Sequence, residues 1–434
     1  MSVLEGETIR RTTDAAIGLP ENVVQSALES ALRPLAMRVR KALILPPDAT
    51  RAFSGVGDIT ARCVRILREF CSVDVMPALG THMPMTADES LRMFGDAIDP
   101  ARLISHDWRG DTIPIGEIPG SYVSAVTDGM FDRPIPAEVN RRLFDPSYDL
   151  VLSLGQVVPH EVAGMANYSK NIFVGCGGAQ MIHQTHLISA AWGIERVLGE
   201  ANTPTRALYH YAQENLLTGM PLVYIMTVSA PHDGINRTRG LFIGQGRSLF
   251  EEASRLSARI NIHWIDHPLK RVVAFSDPEE YKTTWVANKA VYRSRMAIAE
   301  GGELIILAPG VSRFGEDAAN DSLIRKYGYG GTRKTYELMR AESDLAANPS
   351  AAAHMMHGST DGRFRVTYAV SAISRAEIDS VGYASAAYAD MLSLLFTHKF
   401  NPSALPEEGL YTDAIGEEFY FLPHPGAGLW KARR

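Results

Sequence analysis

The 434-residue chain has only three cysteines, Cys63, Cys71 and Cys176, and no CxxC pair among them. So few thiols at such spacing offer neither a disulfide framework nor a cysteine-based zinc site, and they suit a reducing compartment. Long apolar runs are lacking too. Stretches such as "GELIILAPGV" fall well short of the ~20 residues a spanning helix requires, and the opening "MSVLEGETIRRTTDAA" has no apolar core of the kind a secretory signal carries. A soluble, cytoplasmic protein with no membrane partner is the expectation. There is no basic excess either: the formal charge is -6 and the sequence pI about 6.1. Without a positive field to gather a phosphate backbone, nucleic acid is not an expected partner. The absence of HExxH and of GxGxxG removes the familiar zinc-hydrolase helix and the dinucleotide fingerprint.

What the chain does contain is alternation. Short apolar runs that read as buried strands precede longer periodic segments that read as helices, the pattern of parallel α/β layers. "KALILPP" (41 to 47), "VDVMPALGTH" and "YDLVLSLGQVV" each read as a strand running into a loop. "ITARCVRILREF" follows the first with helical spacing of Ile59, Val64, Ile66, Leu67 and Phe70, and "TADESLRMFG" follows the second, opening on a threonine cap and an acidic first turn. "PLVYIMTVSA" and "RVVAFS" extend the strand set. "EEYKTTWVANKAVYRSRMAIAEGG" reads as one helix stopped by Gly301 and Gly302, before the strand "ELIILAP". The fold class expected is therefore α/β, with two α/β domains of mainly parallel sheets and an active site in the cleft between them. Length supports two cores. The pattern restarts near residue 262, which divides an N-terminal catalytic domain, 1–262, from a C-terminal domain, 263–400, with the tail 401–434 packing back on the first.

Three polar residues fall just beyond strand ends: Asp48, His82 and His160. Open α/β sheets bind ligands at that position, beyond the carboxyl ends of their strands. In "DATR", Asp48 and Arg51 can orient each other while the guanidinium offers a bidentate fork to an anion; an Asp-initiated turn with a surface ion pair explains the same four residues. In "GTHMPMT", His82 can act as a general base near neutral pH, although a lone loop histidine is more often simply hydrogen-bonded. The stretch "GQVVPHEVAGMANYSKNIFVGCGGAQMIHQTHLISA" joins His160, Lys170, His183 and His186. If its end is helical, His183 and His186 lie at i and i+3 and could share a metal. In "WVANKA", Trp285 and Lys289 lie four apart, so that an ammonium near an indole could bind a carboxylate; a snorkelling lysine on an amphipathic helix is the plainer account. "HMMH" at 354 to 357 fits an ordinary helix better than a metal site, and "GCGGAQ" is a weak phosphate cradle, with no strand directly before it and no GKT after it.

Order and spacing add weight that the single motifs lack. Asp-x-Thr-Arg, then "GTHMPMT", then "PHEVAG" with a lysine ten residues beyond its histidine and a histidine sixteen further, then an aromatic-x-x-x-Lys-Ala segment, together resemble the nickel-pincer lactate racemase family over roughly residues 40 to 320. The resemblance implies racemisation or epimerisation of a small-molecule 2-hydroxy acid. It also implies a cofactor, the nickel-pincer nucleotide: a pyridinium-3-thioamide-5-thiocarboxylic acid mononucleotide that holds nickel through a carbon and two sulfurs and is tethered to a lysine, with cofactor-synthesis proteins as partners. On this resemblance Lys170 is the tether, His186 the nickel ligand, His82 and His160 the two bases, Asp48 a cofactor contact, and Arg51, Lys289 and Trp285 substrate contacts. Hydride transfer with proton abstraction from the hydroxyl would leave a flat 2-keto acid, and two histidines from different strand ends could serve its two sides. The chain departs from the family twice. "MANYSK" replaces a small Ser-Gly-Gly run, which predicts added bulk at Asn167 and Tyr168 beside the cofactor, and Val286 stands where a glutamine is usual, which points to a hydroxy acid other than lactate. The competing readings are a non-catalytic binder of a hydroxy acid or metal, and a zinc-type hydrolase or lyase using His183 and His186.

Overall fold

The structure is a computed structural model that describes residues 8–396, 398 and 400–433. The first seven residues of the polar opening stretch lie outside the described part. The chain divides into two compact units, one comprising residues 1–188 and 196–261, the other 189–195 and 262–434.

The first unit is built on a six-stranded sheet. Its strands are β1 (Ile9–Thr12), β2 (Lys41–Leu45), β3 (Ser72–Val75), β4 (Leu150–Gln156), β5 (Leu222–His232) and β6 (Ile235–Gly244). Their order across the sheet is β1-β6-β5-β4-β2-β3. Strands β3, β2, β4 and β5 run parallel, and the hairpin β5–β6 with β1 adds an antiparallel edge. Alternation along the strands supplies two apolar faces. Ile44, Leu152 and Ile225 pack with Leu28, Leu32, Ile59 and Val64 on one side; Leu43, Val151 and Tyr224 pack with Phe173, Ile182 and Phe250 on the other. The helices on the first side are α1 (Glu21–Ala36) and α2 (Val56–Arg68). Phe70, counted with the buried spacing, lies past the end of α2 and is exposed, its ring covered by the Arg33 guanidinium. Helix α3 (Ala87–Phe94) begins with a full capping box, Thr86 and Glu89 each bonding the other's backbone N–H.

The second unit repeats the scheme with β7 (Leu269–Phe275), β8 (Ile298–Ala308), β9 (Phe364–Val370), β10 (Ala384–Ala387), β11 (Gly409–Thr412) and β12 (Glu418–Leu422). The order is β10-β9-β8-β7-β12-β11, parallel except for the last pair. Both sheets are thus mainly parallel, as the alternation predicts.

Two expectations fail here. The tail does not join the first domain's fold: β12 pairs in parallel with β7, and residues 429–432 pair with 262–265. The period-free Pro, Gly and aromatic sequence hid short strands, and Phe419 and Phe421 bury into the core of Val273, Phe275, Ile305 and Leu307. Nor is 279–302 one helix. Helix α4 (Thr284–Ala287) stops at Asn288, α5 (Lys289–Ser294) follows, and β8 already runs through Gly301 and Gly302. Gly302 sits where a side chain would strike the Lys270 carbonyl, so its smallness serves close strand packing rather than a helix stop.

Candidate active site

The carboxyl ends of the three adjacent strands β3, β2 and β4 carry the expected trio on the loops that follow them. After β2, the Asp48 carboxylate caps a short helical turn, accepting from Thr50 N at 3.0 Å and from Thr50 Oγ1 at 2.6 Å. Its other oxygen faces His82 Nδ1 at 2.5 Å. Asp48 is buried. Burial alone would raise its pKa, but the charge and hydrogen bond of His82, the Thr50 hydroxyl and the nearby Arg51 outweigh that and hold it well below the usual carboxylate range. An ionised carboxylate only accepts, so His82 Nδ1 carries the proton and Nε2 is the basic nitrogen. The bland account of "DATR" is half right: the aspartate does start a turn, but its ionic partner is His82 from the next strand's loop. That loop is pinned by Ala78 N to Pro46 O and Gly80 N to Gly175 O, both 2.8 Å.

His160 stands in a two-residue hairpin, Pro159–His160 against Gly164–Met165. It is buried, and its Nδ1 accepts from Val162 N at 3.0 Å and, more weakly, from Ala163 N at 3.4 Å. A ring whose Nδ1 accepts from amides carries its proton on Nε2. The two histidines are therefore set in opposite tautomers, a difference that residue type could not reveal.

Lys170 is partly buried at the start of a five-residue π-helical turn, Asn171–Gly175. Such turns are rare and concentrate at functional sites. Asn171 fastens this one to the sheet, donating to Ser153 Oγ at 2.9 Å and Leu45 O at 3.3 Å. Desolvation, with Arg51 and Arg206 adding to it against the opposing fields of Glu161 and Asp48, lowers the Lys170 pKa to about 7. The structure thus gathers Asp48, Arg51, His82, Glu161 and Lys170 into one electrostatic neighbourhood. Glu161 and Arg206 are not among the residues the sequence singles out. Arg206 lies 36 residues beyond Lys170 in an ordinary helical segment, so no local pattern marks it.

The segment "ANY" takes an unexpected course. Asn167 and Tyr168 both have left-handed backbones, φ 68° and 57°, a conformation that glycine adopts freely and that costs other residues roughly 1–2 kcal/mol each. The expectation of bulk beside the cofactor is corrected by where the side chains go. Tyr168 is buried in the apolar core, its ring 4.4 Å from Tyr224 and stacked 5.2 Å from Phe250, and its hydroxyl accepts from Gln213 Nε2 at 2.6 Å. Asn167 turns back to the sheet, with Nδ2 donating to Gly155 O at 2.6 Å. The left-handed turn is made by two large residues anchored inward.

His183 and His186 lie on the helix Ala179–Trp192, as the spacing predicts. His186 Nδ1 donates to Ile182 O at 2.6 Å, which places that ring's proton on Nδ1. His183 meets the Trp108 ring edge-on at 5.6 Å, and burial with Arg109 nearby lowers its pKa to about 4. Among the described residues no three His, Cys, Asp or Glu side chains gather as a metal-holding group. The start of this helix is occupied from within: Glu138 Oε2 accepts from Gln180 N at 3.0 Å, and a Cβ at Gly177 would lie 1.9 Å from Phe173 O. "GCGGAQ" is a close-packing device.

Trp285 and Lys289 belong to the second unit. Trp285 stacks on His354 at 4.1 Å, while Lys289, beginning the next helix, lies 5.6 Å from the Tyr281 ring centre and 3.9 Å from a Glu280 oxygen. Val286 between them is buried. "HMMH" is a buried part of the helix Pro349–Gly358, as expected of an ordinary helix. No helix among the described residues is long and apolar enough to cross a membrane.

Residues 1–195 match the family model of the lactate racemase N-terminal domain. A crystal structure of a protein from Thermotoga maritima is similar over 96% of this chain and 99% of its own, with a TM-score of 0.81 and 23% identity. The lactate racemase apoprotein from Thermoanaerobacterium thermosaccharolyticum is similar over 100% of this chain and 96% of its own, with a TM-score of 0.67 and 16% identity. At such identities the likeness is one of fold. No curated protein sequence matches the chain. The fold and the first unit's loops define an α/β protein with two mainly parallel sheets. Its N-terminal region, residues 1–195, is similar to the lactate racemase N-terminal domain.

Proposed function

We propose that this protein is a racemase or epimerase of a 2-hydroxy acid that works with a nickel-pincer nucleotide. The observation that carries the reading is the Asp48–His82 pair at 2.5 Å, sharing one electrostatic neighbourhood with an amine, Lys170, whose pKa is lowered to about 7. The residues fit the cofactor. An amine about half unprotonated at pH 7 can be held in a covalent amide-type link at small cost of proton loss, and His186, with its Nδ1–H on a backbone carbonyl, would hold nickel as an imidazole ligand through Nε2. When bound, that group supplies the hydride acceptor.

The chain's own residues do the rest. His82 Nε2 takes the proton of the substrate hydroxyl, and Asp48 stabilises the imidazolium so formed through Nδ1–H. Arg51 offers its fork to the substrate carboxylate, which holds the acid still while the carbon loses and regains its hydrogen. His160, protonated on Nε2, is set as a donor toward the substrate oxygen. It can accept a proton there only by giving up the amide bonds at Nδ1, so the two hands of substrate meet unequal groups.

The test is intact-mass and peptide analysis of protein made in cells that synthesise the cofactor, with inversion of a panel of chiral 2-hydroxy acids followed by chiral chromatography. A nickel-containing adduct on Lys170 and loss of optical purity are expected. Lys170 left unmodified when nickel and the cofactor-synthesis proteins are supplied would overturn the proposal.

A further inference from the structure

The helix Pro204–Leu216 presents its first turn to the loop between His160 and Lys170. Thr205 Oγ1 donates to Val162 O at 2.5 Å. Arg206 does more: its Nη1 donates to Asn167 O and to Ser169 Oγ, both at 3.2 Å, and its Nη2 donates to Met165 O. This arginine is 1% exposed. Among the described residues no carboxylate lies within ion-pair distance of it, and the guanidinium is instead packed over Phe250, 4.4 Å from the ring centre, with Tyr209 at 5.7 Å. A buried cation without an anion is costly. Three neutral oxygens of one five-residue loop and an aromatic face are its compensation.

We propose that Arg206 is a positioning residue for Lys170: its guanidinium clasps the 165–169 loop in its left-handed course and keeps a fixed, unneutralised positive charge behind the amine. The clasp answers a specific need. Asn167 and Tyr168 are non-glycine residues with positive φ, and the carbonyl of the first is one of the two carbonyls that Arg206 holds. Ser169, the third partner, is the residue next to Lys170. Without the fork the two strained residues would relax toward ordinary backbone angles, and Lys170 would lose its place beside Asp48 and Arg51. The charge acts in the same direction. Lys170 is faced by Arg51 and Asp48 from the loop after β2, by Glu161 from the hairpin, and by Arg206 from the helix; both arginines favour the neutral amine, and the two carboxylates oppose them. The inference rests on Lys170 being the reactive amine of the proposed function, but its test needs neither cofactor nor turnover.

The full-length protein is pulsed with acetic anhydride across pH 5.5–9.5. Acetylation of Lys170 is quantified by peptide mass spectrometry against the exposed Lys334 in the same sample, and amide hydrogen exchange is followed over residues 165–170. Wild type should reach half-maximal acetylation near pH 7. Arg206→Met should raise the half-point, slow acetylation at pH 7 by about threefold and speed exchange in the loop. Arg206→Lys keeps the charge and loses the fork; it should raise loop exchange about tenfold and move the half-point less than Arg206→Met does. An unmoved half-point in folded Arg206→Met, or unchanged 165–170 exchange in folded Arg206→Lys, overturns the proposal. If Arg206→Met does not fold, the lysine variant decides. A missing nickel adduct in wild type would sink the proposed function and leave these readouts untouched.

Discussion

His82 and His354 are both histidines held by hydrogen bonds, and they could hardly be set more differently. His82, in the first unit, faces a buried carboxylate at 2.5 Å, and its side chain keeps 26% of its exposure. His354, in the second unit, is buried with both nitrogens on phenols, Tyr292 at 2.8 Å and Tyr329 at 2.9 Å, and its ring is stacked on Trp285. Its surroundings continue the same way: Tyr329 meets Thr284 Oγ1, and Asn288 Oδ1 accepts from Tyr368 and Tyr383. In the second region these histidine and tyrosine polar atoms meet neutral partners, which favours a rigid interior. The first leaves charges facing one another, which tunes protonation. A histidine between two phenols has one nitrogen giving and one accepting, so it has no lone pair to spare for a substrate. Trp285, expected to help bind substrate, is half-buried and stacks on that histidine.

The largest effect expected is on turnover. His82→Ala should cut inversion of the best 2-hydroxy acid by about a thousandfold, and Asp48→Asn by about a hundredfold, as read by chiral chromatography on nickel-loaded protein. Full activity in either variant would erase the contrast between the two regions. Tyr168→Ala should lower unfolding stability by about 3–5 kcal/mol in a denaturant titration, because the ring is core rather than cofactor contact. His354→Leu takes one partner from each of two buried phenols and should cost about 1–3 kcal/mol, while the Lys170 half-point for acetylation stays in place. A half-point that moved with His354 would show that the two regions are coupled.

The pH dependence of stability sharpens the first region. The folded pKa of Lys170, about 7, lies below its unfolded value, so the folded state holds fewer protons between about 7 and 10.5. Stability should therefore rise as pH climbs through that window, and Lys170→Met should flatten the rise and raise the melting temperature below pH 7. His183, with a folded pKa of about 4, acts in another window, costing stability as pH falls from about 6.5 to 4. The smallest effect expected is at Asn167→Gly. Relief of left-handed strain, roughly 1 kcal/mol, should nearly offset loss of the bond to Gly155 O, leaving stability within about 1 kcal/mol of wild type.

The strands, their parallel pairing and the position of Asp48, His82 and His160 beyond three strand ends were legible because period and burial are local properties of sequence. The tail was not, since its strands are short and hold their place by edge pairing with β7 and with residues 262–265. Nor was the break at Asn288, where the amide serves two tyrosines from distant segments. Residue types and spacing by themselves determined which side chains this protein can use and on which loops they stand. Only the tertiary structure decided their states: which nitrogen of His82 and of His160 carries the proton, that Tyr168 turns into the core, and that Lys170 sits under the fields of Arg51 and Arg206. Such states depend on burial, on nearby charge and on hydrogen bonds from segments far apart in the chain, and no run of neighbouring residues encodes those distances.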